Sequence, residues 1–418
     1  MNLDVGELHH GSHSHLLTEE SLADAEPAEL DAIIVPTAWP VDALRHVMRI
    51  GTEIDTPVVA LCSKAATAGQ ANKLADHLDA AVLSVDVDES LARWLPTFST
   101  DRLLRDHGFC GSSDLSLKRN LGLTLARGSG WSRVLFLDDD IVIDDSGQLT
   151  HAAGLLDRYR AVGLANTGYR DNSVVCHAFR AVGGKQDTFI GGGAMMIDTS
   201  RTSSFFPNIY SEDWFFLLGD GVPFQAARAG AMRQRAYDPF ANANRARAEE
   251  LGDTLAEGLF WLLDFGHDID TAETGFWGEA LYRRRKFIDY ILAQPATGAR
   301  HRRSLEAARG RSADIRANLC HDFVELWRKD LARWRTFLDW IPVTSGPEKF
   351  LLEVGMTHLV HRSEAYLAAT EPLPADEAQA AGPWSSRANP ATATSSRVSL
   401  CSPFSESNVS APANVLSR

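Results

Sequence analysis

The sequence predicts an α/β fold, a mostly parallel sheet with helices on both faces. Three observations predict it. Short apolar runs at 31–37, 57–62 and 81–85 alternate with stretches of helical periodicity, the pattern of a doubly wound parallel half. A further run, Arg133-Val134-Leu135-Phe136-Leu137, leads directly into Asp138-Asp139-Asp140. Beyond residue 241 the apolar positions recur at helical spacing almost throughout. The expected organisation is a disordered tail over 1–29, an α/β domain over 30–240, a helical C-terminal region over 241–370 and a disordered tail over 371–418.

Each element has a local reason. The N-terminal stretch is polar, and its His9, His10, His13 and His15 form a tract of the kind that binds metal adventitiously; a flexible tail is the expectation. Asp31-Ala32-Ile33-Ile34-Val35 is a first strand stopped by Pro36, and Val41, Leu44, Val47 and Met48 mark the helix after it. Pro57–Cys62 and Ala81–Val85 are the next two strands, with Leu74 and Leu78 on a helix between them. Ser112 to Arg127 reads as an amphipathic helix, with N-cap candidates in Ser112, Ser113 and Asp114 and a C-cap in Gly128. Lys118, Arg119 and Asn120 lie near its start. Leu149–Tyr159 reads as a helix, and Ala161–Ala165 and Ser173–Phe179 as weaker strands. Past Pro372 the chain turns rich in Ala, Pro, Ser and Thr, which supports no packed core.

Composition narrows the function. A net charge of -14 argues against non-specific nucleic-acid binding. The five cysteines are scattered, with no C-x-x-C pair, as in a reduced cytoplasmic protein. The N-terminus has no apolar run of signal-peptide type, and no stretch is long enough to span a membrane. From Arg283 to Arg316 the chain is locally basic; a solvated helical face is the expectation, and peripheral contact with an anionic membrane the alternative. There is no G-x-G-x-x-G after the first strand and no P-loop, which counts against dinucleotide and P-loop enzymes.

The chemistry concentrates in three places. Three adjacent carboxylates at the end of a buried strand repel one another and lose hydration, so they need a cation or several donors to stay charged. Strand alternation puts Asp138 and Asp140 on one face and Asp139 on the other, and two oxygen ligands on one face suit a hard divalent ion. The alternative is an acidic loop capping the next helix. Gly191-Gly192-Gly193 interrupts a strand-like run, where something must approach the backbone closely or a bulge must form. Ser211-Glu212-Asp213-Trp214 then reads either as a capped helix start or as a carboxylate held at a cleft for proton transfer.

Taken in order, Val35-Pro36-Thr37, Lys118-Arg119-Asn120, Leu135–Asp140, Gly191–Gly193 and Ser211–Trp214 resemble the GT-A fold glycosyltransferases, and within them the family 2-like group, over roughly residues 31 to 265. The resemblance implies a nucleoside-diphosphate sugar donor, UDP- or GDP-linked, and Mn²⁺ or Mg²⁺. It implies that Asp140, with Asp138, ligates the metal, as in a D-x-D motif. Pro36, Thr37, Ser63, Lys118, Asn120, Asp138, Asp139, Gly192 and Gly193 would line the nucleotide-sugar site, and Glu212-Asp213 would match an E-D motif with Asp213 the base. Trp214 and the long helical region depart from the common pattern. His267 is a candidate further metal ligand of the kind some retaining members recruit, against the alternative of an ordinary structural histidine. Two other readings remain. One is a phosphatase of the haloacid dehalogenase type with Asp138 as nucleophile, though that motif usually opens its domain and three strands precede it here. The other is a catalytically inactive GT-A scaffold. A sugar nucleotidyltransferase would want a glycine-rich basic loop where Pro36-Thr37-Ala38-Trp39-Pro40 stands.

Overall fold

The computed structural model describes residues 4–109, 113–221 and 224–370. Ser112, Cys110, Cys401 and the C-terminal tail expected from 371 lie outside the described residues. The strands are β1 (Thr18–Glu19), β2 (Ala32–Thr37), β3 (Val58–Cys62), β4 (Val82–Asp86), β5 (Arg133–Leu137), β6 (Ile141–Val142), β7 (Ala161–Asn166), β8 (Ala194–Asp198), β9 (Ala226–Gln234) and β10 (Val360–Arg362). They form one mixed, mostly parallel sheet in the order β1-β9-β7-β8-β5-β2-β3-β4-β10, with β6 paired to β9. β8 runs antiparallel between β5 and β7, and β10 antiparallel to β4.

The first half follows from its apolar runs. Every residue of β2 and of β3 is buried, as a strand covered on both faces must be. The helix Leu115–Gly128 lies on this sheet at close range. A Cβ at Gly122 would stand 2.8 Å from the Ile34 side chain and 3.2 Å from the Phe136 ring, so the glycine sets the helix-to-sheet distance. The expected weak strand Ser173–Phe179 is instead a helix, Val174–Ala181; Ser173 caps it by accepting from the Cys176 amide, and Val174 to Phe179 are buried.

The helical region is present, as Ala243–Asp264, Thr274–Ala293, Ala299–Asp314 and Ala317–Trp340, but it shares its core with the sheet. Phe215 meets Phe323 and Trp327 with ring centroids 5.4 Å apart. Buried Asp330 accepts from the Ser99 amide at 2.9 Å and the Thr100 amide at 2.8 Å. The chain then returns to the sheet as β10, where Ser363 Oγ accepts from the Val82 amide and donates to the Ala80 carbonyl. Among the described residues, no helix is long and apolar enough to cross a membrane.

Two expectations change. Residues 4–29 are folded: a capped helix Val5–Leu8, turns of 3₁₀ helix at Ser14–Leu16 and Leu22–Asp24, and β1 on the sheet edge beside β9. Long-range polar contacts hold this stretch, and no local periodicity reports them. The basic segment 283–316 is largely spent on the fold. Arg284 is buried against Glu250 and Asp253, Arg285 caps the Ser312 and Ile315 carbonyls, and Arg309 pairs with Asp289.

The long helix Ala243–Asp264 presses on the segment that carries Glu212 and Asp213. A Cβ at Gly252 would stand 2.2 Å from the Tyr210 carbonyl oxygen, a backbone atom with no rotamer to give. Gly252→Ala is therefore expected to cost about 1–3 kcal/mol in thermal or denaturant unfolding, the range for overpacking. A change below about 0.5 kcal/mol would show that the 210–213 turn yields freely.

Candidate functional site

The carboxylates lie just past β5, in the turn that joins it to β6. Each has a different partner, because three successive residues in a turn point three ways. Asp139 turns inward: Thr37 Oγ1 donates to its Oδ2 at 2.5 Å, across the ends of β5 and β2. Asp138 faces Arg119, whose Nη2 donates to both of its oxygens at 3.1 Å. Asp140 accepts from the Gln234 Nε2 at 2.9 Å, and its carbonyl accepts from the Arg235 amide. Burial, joined by the charges of Asp138, Asp139 and Asp171, pushes the Asp140 carboxyl up to about 7. The hydrogen bond from Gln234, a neutral donor, opposes that push. Asp138 and Asp139 have nearby cations that oppose their rise, and Asp140 has the Gln234 amide.

The glycines form a turn leading into β8, not part of the strand. What they admit is the protein's own machinery. A Cβ at Gly192 would stand 2.4 Å from the Arg119 Nη1, one at Gly191 2.8 Å from the Asp213 Oδ2, and one at Gly193 3.4 Å from the Asp138 Oδ2. The Gly192 amide donates to Asp213 Oδ2 at 2.8 Å, and the Asp138 amide to the Gly193 carbonyl at 2.9 Å. The turn therefore ties the β5 carboxylates to Glu212–Leu218, the short helix that begins with the two acids.

Ser211 precedes that helix with φ 62° and ψ 33°, and its side chain makes no cap. A serine in the left-handed region is held there by its surroundings. The turn delivers Glu212 to Arg119 Nη1 and Asp213 to Gly192. Burial holds the Glu212 carboxyl above its usual range, with Arg119 opposing and Asp213 and Asp138 adding to the rise. Arg119 is the hub, 2 % exposed and shared between Asp138 and Glu212.

A second edge lies at the ends of β2 and β3. Lys118 Nζ donates to the Thr37 carbonyl at 2.8 Å and to Ser63 Oγ at 2.7 Å, and pairs with Asp114 at 3.1 Å. Burial lowers its pKa, against the pull of Asp114. Pro36 is buried within β2. So Thr37, Ser63, Lys118, Asp138, Asp139, Asp140, Gly192, Gly193, Glu212 and Asp213 form one connected set. Asn120 is separate: its amide donates to the Phe206 carbonyl and accepts from the Phe206 amide, both at 2.8 Å, which leaves it anchoring a loop. His267 is exposed in a turn after the long helix, and its backbone amide caps the Leu262 carbonyl.

Sequence reasoning took Arg119 only as a cation beside Lys118 near a helix start, and it assigned no role to Gln234, Asp171 or Tyr237. Asp171 accepts from the Tyr237 hydroxyl at 2.8 Å, and its carboxyl is held up by burial, with Asp213 and Asp138 adding to the rise. Tyr169 stacks on His177 at 5.3 Å, and His177 Nε2 lies 3.2 Å from the Tyr237 hydroxyl. This aromatic and polar group adjoins the carboxylates on the β7 and β9 side. Only the buried cation at Arg119 left a signal in the sequence, a charged residue on a helix face otherwise packed on the sheet.

No protein-family model matches the chain, and no curated protein matches it. Several solved structures are remotely similar, and two of them illustrate the likeness. One is a crystal structure of A197 from STIV, at 11 % identity and a TM-score of 0.28, covering 50 % of this chain and 87 % of that one. The other is the mannosyltransferase PcManGT from Pyrobaculum calidifontis in complex with GDP-Man and Mn²⁺, at 14 % identity and a TM-score of 0.38, covering 76 % of this chain and 87 % of that one.

Proposed function

We propose that this chain is a glycosyltransferase that moves a sugar from a nucleoside-diphosphate sugar to an acceptor hydroxyl with the help of a divalent metal ion. One observation carries the reading: the Asp138–Asp140 carboxylates and Asp213 come from distant parts of the chain and are joined through the Gly191–Gly193 turn and Arg119 at the carboxyl end of the sheet. An all-oxygen set, in which Asp140 has a neutral partner in Gln234, fits Mn²⁺ or Mg²⁺. Asp140 and Asp138 would hold the ion, which when bound would offset charge on the diphosphate leaving group.

The chain's own residues do the rest. The polar ends of β2 and β3, with Thr37, Ser63 and Lys118, offer donors and a cation for the nucleoside and its diphosphate. Asp213, its Oδ2 held by the Gly192 amide, takes the acceptor hydroxyl's proton as that oxygen attacks the anomeric carbon. Arg119 keeps Asp138 and Glu212 in place.

The test is calorimetric titration of UDP and GDP, with and without Mn²⁺, on wild type and Asp140→Ala, followed by transfer assays with a donor panel. Metal-dependent binding of one nucleotide is expected, and Asp140→Ala should lose it. Asp213→Asn should keep nucleotide binding and lose transfer by about 10²–10⁴-fold. Binding without turnover of any donor would favour an inactive scaffold. No nucleotide binding under any metal condition would sink the proposal.

A further inference from the structure

The N-terminal histidine tract is built into the fold. His9 Nε2 meets the Gln186 side chain, the Asp187 amide donates to the Gly11 carbonyl at 2.6 Å, and a Cβ at Gly11 would stand 2.4 Å from the Lys185 carbonyl. The segment is thereby pressed between the 184–188 loop and the end of the long helix Ala243–Asp264. There three imidazoles converge on one carboxylate. His10 Nδ1 and His13 Nδ1 both contact Asp264 Oδ2, the latter at 2.5 Å, and His15 Nε2 lies 3.1 Å from Oδ1. The Asp264 side chain is fully buried. Its Oδ1 makes no directed hydrogen bond despite the nearby His15 nitrogen. The ligand atoms of His10, His13 and Asp264 all lie within 4.8 Å of one another.

We propose that His10, His13, His15 and Asp264 form a binding site for a borderline transition-metal ion of the Zn²⁺ type, which staples the N-terminal segment to the long helix. Two imidazole nitrogens and a carboxylate oxygen already lie together, and His15, 3.1 Å from the other carboxylate oxygen, would supply the fourth ligand of a set that Zn²⁺ takes. The set differs in kind from the all-oxygen Asp138–Asp140 group, which suits harder ions. The support a metal-bound imidazole needs is also present. When His13 Nδ1 faces the ion, its Nε2 donates to Glu257 at 3.2 Å, fixing the tautomer and the ring. The opposite side of His13 packs edge-on against Trp214, centroids 5.4 Å apart, and Trp214 directly follows Asp213. An ion here would therefore stiffen the wall behind the helix that carries the two acids. The proposal stands on this cluster alone and does not need the reading of the main site.

The competing account is a metal-free ion-pair network, with His13 bridging Asp264 and Glu257. Chelator-competition titration of Zn²⁺ into the metal-depleted full chain separates the two. Wild type is expected to bind one Zn²⁺ that excess Mn²⁺ does not displace. The Co²⁺ form should show the visible absorption of a tetrahedral site. His10→Gln/His15→Gln changes two side chains that are 33 % and 56 % exposed, and circular dichroism checks that the variant keeps its fold. That variant should lose affinity by about 100-fold or more. Asp264→Asn should lose it too. Equal Zn²⁺ affinity in wild type and the double variant, or no Zn²⁺ binding by wild type at micromolar concentration, would overturn the site. Retention of Zn²⁺ by Asp264→Asn would overturn it as well, leaving only adventitious binding by the tract.

Discussion

Arg119→Met is expected to destabilise the protein by about 3–5 kcal/mol, the cost of stranding buried charge by removing its partner. The guanidinium is 2 % exposed and is shared between Asp138 and Glu212, with Phe206 5.5 Å beneath its plane. Methionine keeps much of the volume but leaves two inward carboxylates with no cation. Both are already held above the usual carboxylate range by burial while Arg119 is in place. The missing cation must then be replaced by protons or by structural opening. Glu212→Gln in the same chain removes one of the stranded charges, so the double variant should recover part of the loss. Urea unfolding of the four proteins gives the coupling directly. A loss below about 1 kcal/mol in Arg119→Met would show that water reaches this cluster and that the hub does not hold it.

The same residue shows what the sequence conceals. The strands of the first half were legible, because a run such as Ala32–Val35 or Val134–Leu137 is apolar on both faces and must be covered on both. The carboxylates at its end were legible for the same reason. Lys118, Arg119 and Asn120 were visible as a group but not as individuals. Successive helical residues point about 100° apart, so one reaches the ends of β2 and β3, the next the Asp138 turn, and the third the Phe206 backbone. Gln234 and Asp171 carry no local pattern at all; they meet the site only because β9 and the loop after β7 end beside it. The N-terminal histidines were read as a tail because their partners Glu257 and Asp264 lie more than 240 residues away. Local composition gives no access to such a contact.

His177→Gln is expected to flatten the acid side of the stability profile between pH 6.5 and pH 4. His177 is 7 % exposed, its ring stacked on Tyr169 and its Nε2 facing the Tyr237 hydroxyl. Burial first, then the positive charges of Arg180 and Arg245, lowers its pKa to about 4. The unfolded chain titrates this group near 6.5. The folded state therefore refuses a proton that the unfolded state accepts. The stability tied to neutral His177 is complete above pH 6.5 and is lost as pH falls through 4, up to about 3 kcal/mol. Glu249, pushed up to about 7 mainly by burial and partnered by Arg245, works with the opposite sign. Its folded form prefers the proton, so its contribution grows as pH falls through 7. The wild-type profile mixes the two, along with Asp171 on the far side of Tyr237, and only the difference between wild type and His177→Gln isolates the imidazole. Glutamine keeps a donor for Tyr237 and cannot charge in this range, so the variant should lose less stability than wild type between pH 6.5 and 4. Parallel losses in the two proteins would mean that His177 is protonated in the folded state without penalty. That would put water inside the Tyr169–Tyr237 group that adjoins the carboxylates.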